Sequence, residues 1–303
     1  MNEVNSRDEE QALVESLEDY STQPVFTLPE ENTLITSAST GNTYKIGNLI
    51  GEGGFGYVYH CTDTWENELA VKILKPLGTY EDVRQSTIAE FEKLKLLRHP
   101  NITYVYDAFE FKHTFYIVCE KCWQPINEFI QRKNFNGRVW IKKISRQLLQ
   151  AVHFIHINEF AHQDIHGGNV FIQASYDELS PNDLIFNFML GDLGLAKLAT
   201  EMDAKNTILA EWMRAPESIN PDEFGAMDHR MDIYHCGLLF LQIILGRPHN
   251  FTQEEVLAGR PRELAMELEA PFNFALEKAL RRHVDFRTAS ALEFWRDLSS
   301  NVS

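Results

Sequence analysis

Hydrophobic and polar positions change their period twice along the chain. Tyr44–Ile50, Gly56–Cys61 and Glu68–Leu74 are short runs of β-branched and aromatic residues separated by Gly, Asp, Thr and Asn. Such runs predict an antiparallel meander. Asp82–Leu97 then takes helical spacing, with Val83, Ile88, Phe91, Leu94 and Leu97 apolar, until His99-Pro100 stops it. Two more strand-like runs follow, Thr103–Phe109 and Thr114–Glu120. Beyond Trp123 the pattern is mainly helical, over Ile126–Gln131, Val139–Asn158, Met231–Leu245, Thr252–Gly259, Arg262–Leu268, Phe272–Arg282 and Ala289–Leu298. The reading is an α+β protein: a small β-rich lobe with one main helix over 41–122, then a larger helical lobe over 123–303.

Residues 1–40 stand apart. They carry Asp8, Glu9, Glu10, Glu15, Glu18, Asp19, Glu30 and Glu31 against one cation, Arg7, which predicts a partly disordered acidic tail. Its apolar stretch Pro24–Leu28 is suited to dock on the folded body or on a partner. The formal charge of −16 argues against duplex nucleic acid and anionic membrane as partners. The most apolar segment, Cys236–Leu245, is much shorter than the roughly 20 residues that span a bilayer. The N-terminus has no basic region followed by an apolar run, so a cytoplasmic protein is expected. Cys61, Cys119, Cys122 and Cys236 are too scattered for a disulfide framework, and the lone C-x-x-C lacks the second pair that structural zinc requires.

Gly51-Glu52-Gly53-Gly54-Phe55-Gly56 contains G-x-G-x-x-G, a string shared by dinucleotide-binding folds and by plain glycine-rich turns. Here β-branched and aromatic residues, Tyr57–Cys61, follow it, which predicts a hairpin with a glycine tip. Backbone N–H groups at such a tip can approach phosphates closely. In Leu69–Leu74 the alternation puts Ala70 and Lys72 on one face and Leu69, Val71 and Ile73 on the other. A lysine within an apolar strand needs a buried anion or carboxylate to offset its desolvation. Glu90 shares the apolar face of the next helix with Leu94 and Leu97, so it is the natural partner.

His162–Asn169 places Asp164 and Asn169 five residues apart just before Val170-Phe171-Ile172, and Asp192 follows a second apolar run. An Asn carbonyl and an Asp carboxylate suit magnesium, which is often held by one or two protein groups plus phosphates. The other Asp is then able to orient a hydroxyl and accept its proton.

In this order, these motifs resemble the protein kinase superfamily. The likeness runs from about Tyr44 to Leu298 and includes the glycine loop, Lys72, Glu90, the loop His162–Asn169, Asp192-Leu193-Gly194, Ala215-Pro216-Glu217, Asp232–Gly237 and Arg287. It implies a two-lobed serine/threonine kinase that uses ATP with magnesium or manganese and acts on a protein substrate. Asp164, Lys72, Glu90 and His166 would be catalytic. Gly51, Gly53, Gly54, Phe55, Gly56, Val58, Ala70, Lys72, Glu120 and Cys122 would hold the nucleotide, with the connection between the lobes at Glu120–Cys122 and Cys119 behind the adenine. Asn169 and Asp192 would hold the metal.

The departures bear on regulation and acceptor. Gln163 stands where regulated kinases carry an arginine that receives an activation-loop phosphate, so activity without such phosphorylation is expected. His166 and Gly167 stand where eukaryotic serine/threonine kinases usually place Lys and Pro, and D-I-H-G-G-N is similar to loops of small-molecule phosphotransferases. A small-molecule kinase of the aminoglycoside or choline type, and a nucleotide-binding pseudokinase, are the alternatives.

Overall fold

The computed structural model describes residues 26–54, 56–75, 97–176, 184–193, 214–248 and 250–300, with isolated positions in the segments between them. It divides into two compact units. One runs to Ala89 and includes Val105–Lys121; the other comprises Glu90–Tyr104 and Cys122–Ser303.

The β-branched and aromatic runs of the first unit form one antiparallel sheet. Its strands are β1 (Leu34–Thr36), β2 (Thr43–Glu52), β3 (Gly56–Thr62), β4 (Glu68–Leu74), β5 (Val105–Phe111) and β6 (Thr114–Glu120), in the order β1-β2-β3-β4-β6-β5 among the described residues. The predicted alternation in β4 is present: Leu69, Val71 and Ile73 join a core with Ile35, Ile46, Cys61 and Val118, and Lys72 takes the other face. Tyr44, Phe109 and Tyr116 stack over this core at 5.9 and 5.4 Å. β1 lies within the stretch read as tail, where its Ile35 is fully buried. Two apolar residues gave too short a run to mark it. Of the helix expected over 82–97, positions 84, 85, 88 and 91 are described as helical, and Leu97 lies beyond its end.

One buried carboxyl group ties the start of the sheet to its far edge. Asp107 is fully buried on β5 and accepts from the Tyr44 hydroxyl at 3.0 Å, the Thr40 hydroxyl at 2.6 Å and the Ser39 hydroxyl at 3.2 Å. A buried carboxylate is tolerated only when hydrogen-bonded in this way.

The second unit comprises β7 (Gln124–Pro125), α1 (Ile126–Ile130), α2 (Gly137–Ile157), β8 (Phe160–Ala161), β9 (Val170–Tyr176), β10 (Leu184–Leu190), β11 (Lys197–Leu198), α3 (Pro216–Ile219), α4 (Pro221–Phe224), α5 (Arg230–Leu245), α6 (Gln253–Ala258), α7 (Arg260–Met266), α8 (Phe272–Ala279) and α9 (Ala291–Ser299). α5 is buried without interruption from Met231 to Leu241, so its near-continuous apolar sequence marks the central helix. α2 packs on it through one stripe that includes Ile141, Ile144, Leu148, Val152 and Ile155. The helix ends differ from the periodicity where caps intervene. Thr252 is the N-cap of α6 in a capping box with Glu255, and Gly259 closes it at φ 88°. Among the described residues no helix is long and apolar enough to cross a membrane.

Asp107→Ala would strand the Tyr44 and Thr40 hydroxyls, so it is expected to cost about 3 kcal/mol, against about 1 kcal/mol for Tyr44→Phe, which removes one bond alone. Urea unfolding of the two variants checks the ranking; equal, small losses would contradict it.

Candidate active site

In the first unit the glycine hairpin joins β2 to β3. Gly51 lies opposite Val58 and Glu52 opposite Tyr57, and the Gly53 N–H donates to Gly56 O at 2.9 Å. A Cβ on Gly56 would come within 2.5 Å of Ile73 O, so β3 and β4 can approach this closely only at a glycine. At Gly53 and Gly54 a Cβ would meet nothing within 4 Å, so no packing inside the unit requires glycine there. Open backbone of this kind suits the approach of a phosphate. Lys72 sits opposite Val58 on β3 and Ile117 on β6, on the same face as Ala70. Cys119 is paired with Ala70 and Glu120 with Leu69, while Cys122 begins the longer segment of the second unit. Phe55 and Glu90 lie outside the described residues. The structure adds a residue that the sequence did not single out: Lys75 Nζ donates to Glu52 Oε1 and to Gly53 O, each at 2.9 Å. One more lysine after a strand carries no signal of that contact.

In the second unit the loop 162–169 is fixed by its own side chains. The Asp164 N–H donates to His162 Nδ1 at 3.2 Å, so a neutral His162 carries its proton on Nε2 and gives it to Gly191 O at 3.1 Å. The Asn169 amide donates to Asp164 O at 2.9 Å and to Asp164 Oδ2 at 2.8 Å, and Asn169 O accepts from Gly191 N at 2.9 Å. Asp164, Asn169 and the residue before Asp192 are thereby joined. His166 Nδ1 accepts the Gly168 N–H at 3.0 Å, and its Nε2 lies 3.7 Å from Asp164 Oδ2. A Cβ on Gly168 would meet the His166 ring at 2.7 Å, so a side chain at 168 would displace the imidazole from this position. Burial alone would push the Asp164 carboxyl up, but the bond and charge of His166 beside it outweigh burial and hold it below the ordinary carboxylate range.

Asp232 on α5 anchors the loop from beneath. Its carboxylate is fully buried and accepts the N–H groups of His162 at 2.8 Å and Gln163 at 2.7 Å, with His156 Nε2 also at 2.8 Å. Burial again opposes ionisation, yet the bond and charge of His156, with the backbone N–H of His162, bring Asp232 down to about 2. Gln163 and Asp192 both hold left-handed backbone, at φ 69° and 56°. Such strain in non-glycine residues persists only where surroundings impose it. Nearby, Arg287 grips Glu217 at 2.6 and 2.7 Å, both side chains fully buried. Its remaining N–H groups reach the carbonyls of Arg230, Arg281 and Arg282, so all five donors are used. The carbonyls of Arg281 and Arg282 thus face Arg287, and α8 ends at Ala279 rather than at Arg282.

The donor set fits a hard cation. Both Asn169 amide hydrogens point at Asp164, which turns the carbonyl oxygen of that side chain outward, without a hydrogen bond among the described residues. An Asn carbonyl and the Asp192 carboxylate are oxygen donors of the kind that magnesium prefers.

A family model for the protein kinase domain matches residues 44–298. Among curated proteins, the chain is 27% identical over 215 residues to the cell cycle serine/threonine-protein kinase CDC5/MSD2 of Saccharomyces cerevisiae, covering 69% of this chain and 28% of that protein. It is 25% identical to the serine/threonine-protein kinase PLK2 of Mus musculus, over 73% of this chain and 31% of the other. Identity to cyclin-dependent kinase D-1 of Arabidopsis thaliana is 29%, over 68% of this chain and 50% of the other. The chain therefore spans half or less of the length of these relatives.

The depressed Asp232 carboxyl gives the fold an acid limit. In the unfolded chain it would titrate at the ordinary 3.8, so between there and about 2 the unfolded state binds the extra proton. The stabilisation, on the order of 2 kcal/mol, is present above pH 4 and is lost as pH falls through that window. Urea midpoints of the native protein and of Asp232→Asn at pH 5, 3.5 and 2.5 measure it. The gap between them should narrow on acidification, and a constant gap would contradict the assignment.

Proposed function

The chain belongs to the protein kinase family, and from that premise we propose that it transfers the γ-phosphate of ATP to a serine or threonine hydroxyl of a protein. The observation that carries this reading is the joining of Asp164, Asn169 and Gly191-Asp192 through the Asn169 amide and carbonyl. Asp164 Oδ2 is occupied by Asn169, whereas Oδ1 accepts no hydrogen bond among the described residues and is placed to receive a hydroxyl proton. Held below the ordinary carboxylate range, Asp164 is ionised at neutral pH, as an orienting base must be. Lys72 and the backbone N–H of Gly54 hold phosphate oxygens, and Val58, Ala70 and the backbone of Glu120 and Cys122 hold the base. Asn169 and Asp192 would hold magnesium or manganese, which when bound would supply positive charge against the phosphates. His166 is assigned a donor role toward the transferred phosphate through Nε2.

Gln163 supports activity without activation-loop phosphorylation, because a neutral, fully buried side chain cannot receive a phosphate. The loop hydroxyls, Thr200 and Thr207, lie outside the described residues. A cytoplasmic setting, where ATP and magnesium are supplied, follows from the same reading.

Labelled ATP incubated with the protein and a generic protein acceptor, or with aminoglycosides or choline, tests the acceptor. Label on serine or threonine is expected; label in the small molecule alone, or none despite ATP binding, would contradict the reading. Asp164→Asn is expected to bind ATP yet lose at least about a hundredfold in kcat. Lowering the pH from 7 to 5.5 should not protonate Asp164, so a kcat that drops in that interval through this carboxyl would count against its role. Thr200→Ala/Thr207→Ala should retain a near-normal rate.

A further inference from the structure

The glycine hairpin is held by a short chain of contacts that leads back to the segment preceding the sheet. Lys75 follows β4 and folds its ammonium onto three partners of the hairpin: Glu52 Oε1 and Gly53 O at 2.9 Å each, and the face of Tyr57 at 4.6 Å from the ring centroid. Glu52 and Tyr57 are directly opposed across β2 and β3, so the clamp grips both strands at the tip. The other neighbour of the Tyr57 ring is Phe26, stacked at 6.3 Å and 25° and packed against the sheet core. An exposed Lys–Glu pair alone would contribute little. The backbone carbonyl and the ring make this ammonium a fixed point.

The consequence falls on the peptide between Gly53 and Gly54. That unit is planar and trans, so a carbonyl held by Lys75 turns the Gly54 N–H to the opposite side. The Gly53 N–H is already used within the turn, on Gly56 O. Lys75 also offsets Glu52, whose carboxylate would otherwise repel a triphosphate at the tip.

We propose that Phe26 and Lys75 are positioning residues for the glycine loop: acting through Tyr57 and the Gly53 carbonyl, they aim the Gly54 N–H at the phosphates of ATP. The proposal rests on the reading of residues 51–56 as a phosphate-binding hairpin. It makes the segment before the sheet a determinant of nucleotide affinity.

The test is the affinity of the full chain for ATP and for adenosine, read by competition against a fluorescent ATP analogue, so that no turnover is needed. Phe26→Ala and Lys75→Met should each weaken ATP about fivefold, the scale of one lost aromatic or cation–π contact. Adenosine, which has no phosphates, should bind as before; a general loosening of the sheet would weaken both ligands. Phe26→Tyr and Lys75→Arg should restore ATP affinity. The double variant should lose no more than Lys75→Met alone, because the two act in series. If native protein binds ATP and both single variants match it, or if ATP and adenosine weaken together, the proposal is overturned. A native protein that binds no ATP would instead overturn the phosphate-binding reading, and this proposal with it.

Discussion

A single buried carboxylate sets the geometry on which the candidate site depends. Asp232 lies on the most completely buried helix of the second unit and takes the backbone N–H groups of His162 and Gln163 directly. Those two residues precede Asp164, so their peptide planes fix where its side chain begins. The left-handed backbone at Gln163 is the visible cost of that grip. From Asp164 the constraint passes to Asn169 and onward to Gly191 through side-chain and main-chain bonds of 2.8 to 2.9 Å. Each bond is ordinary; the fixed starting point makes them a site.

The ionic groups of this unit follow one rule. Asp232 is charged without solvent because His156 and two N–H groups satisfy it, and the buried Glu217 is gripped at both oxygens by Arg287. Buried pairs of this kind are weak arguments for stability as such, since well-packed apolar groups can do as well. Their contribution is to specify position. Arg287 joins the Ala215-Pro216-Glu217 segment to the end of α8 and the start of α5 in one cluster of donors. In the first unit Asp107 gathers hydroxyls from Ser39, Thr40 and Tyr44 in the same way.

Much of this was legible in the sequence because it is local. Alternation in Leu69–Leu74 gave the face of Lys72, and the residues after Gly56 distinguished a hairpin from a helix start. The order of Asp164, Asn169 and Asp192 carried the chemistry. What escaped was long-range pairing. Nothing near His156 marks it as a partner of Asp232, 76 residues on, and nothing near Asp107 announces the hydroxyls that surround it. β1 is too short for a periodic signal, and Lys75 differs from other surface lysines only by what it meets. The unusual His166-Gly167-Gly168 run became intelligible only with coordinates, since the imidazole occupies the space that a side chain at 168 would need.

Under the proposed activity, Asp232 places Asp164 for phosphate transfer. The most direct test is the single-turnover transfer rate of folded Asp232→Asn at saturating ATP and magnesium. An amide cannot accept both N–H groups, so the loop should shift. A displacement of about 1 Å at a reacting group can cost on the order of a hundredfold, and a loss of that size with ATP affinity retained is the expected result. A variant that transfers phosphate at the native rate would contradict the account.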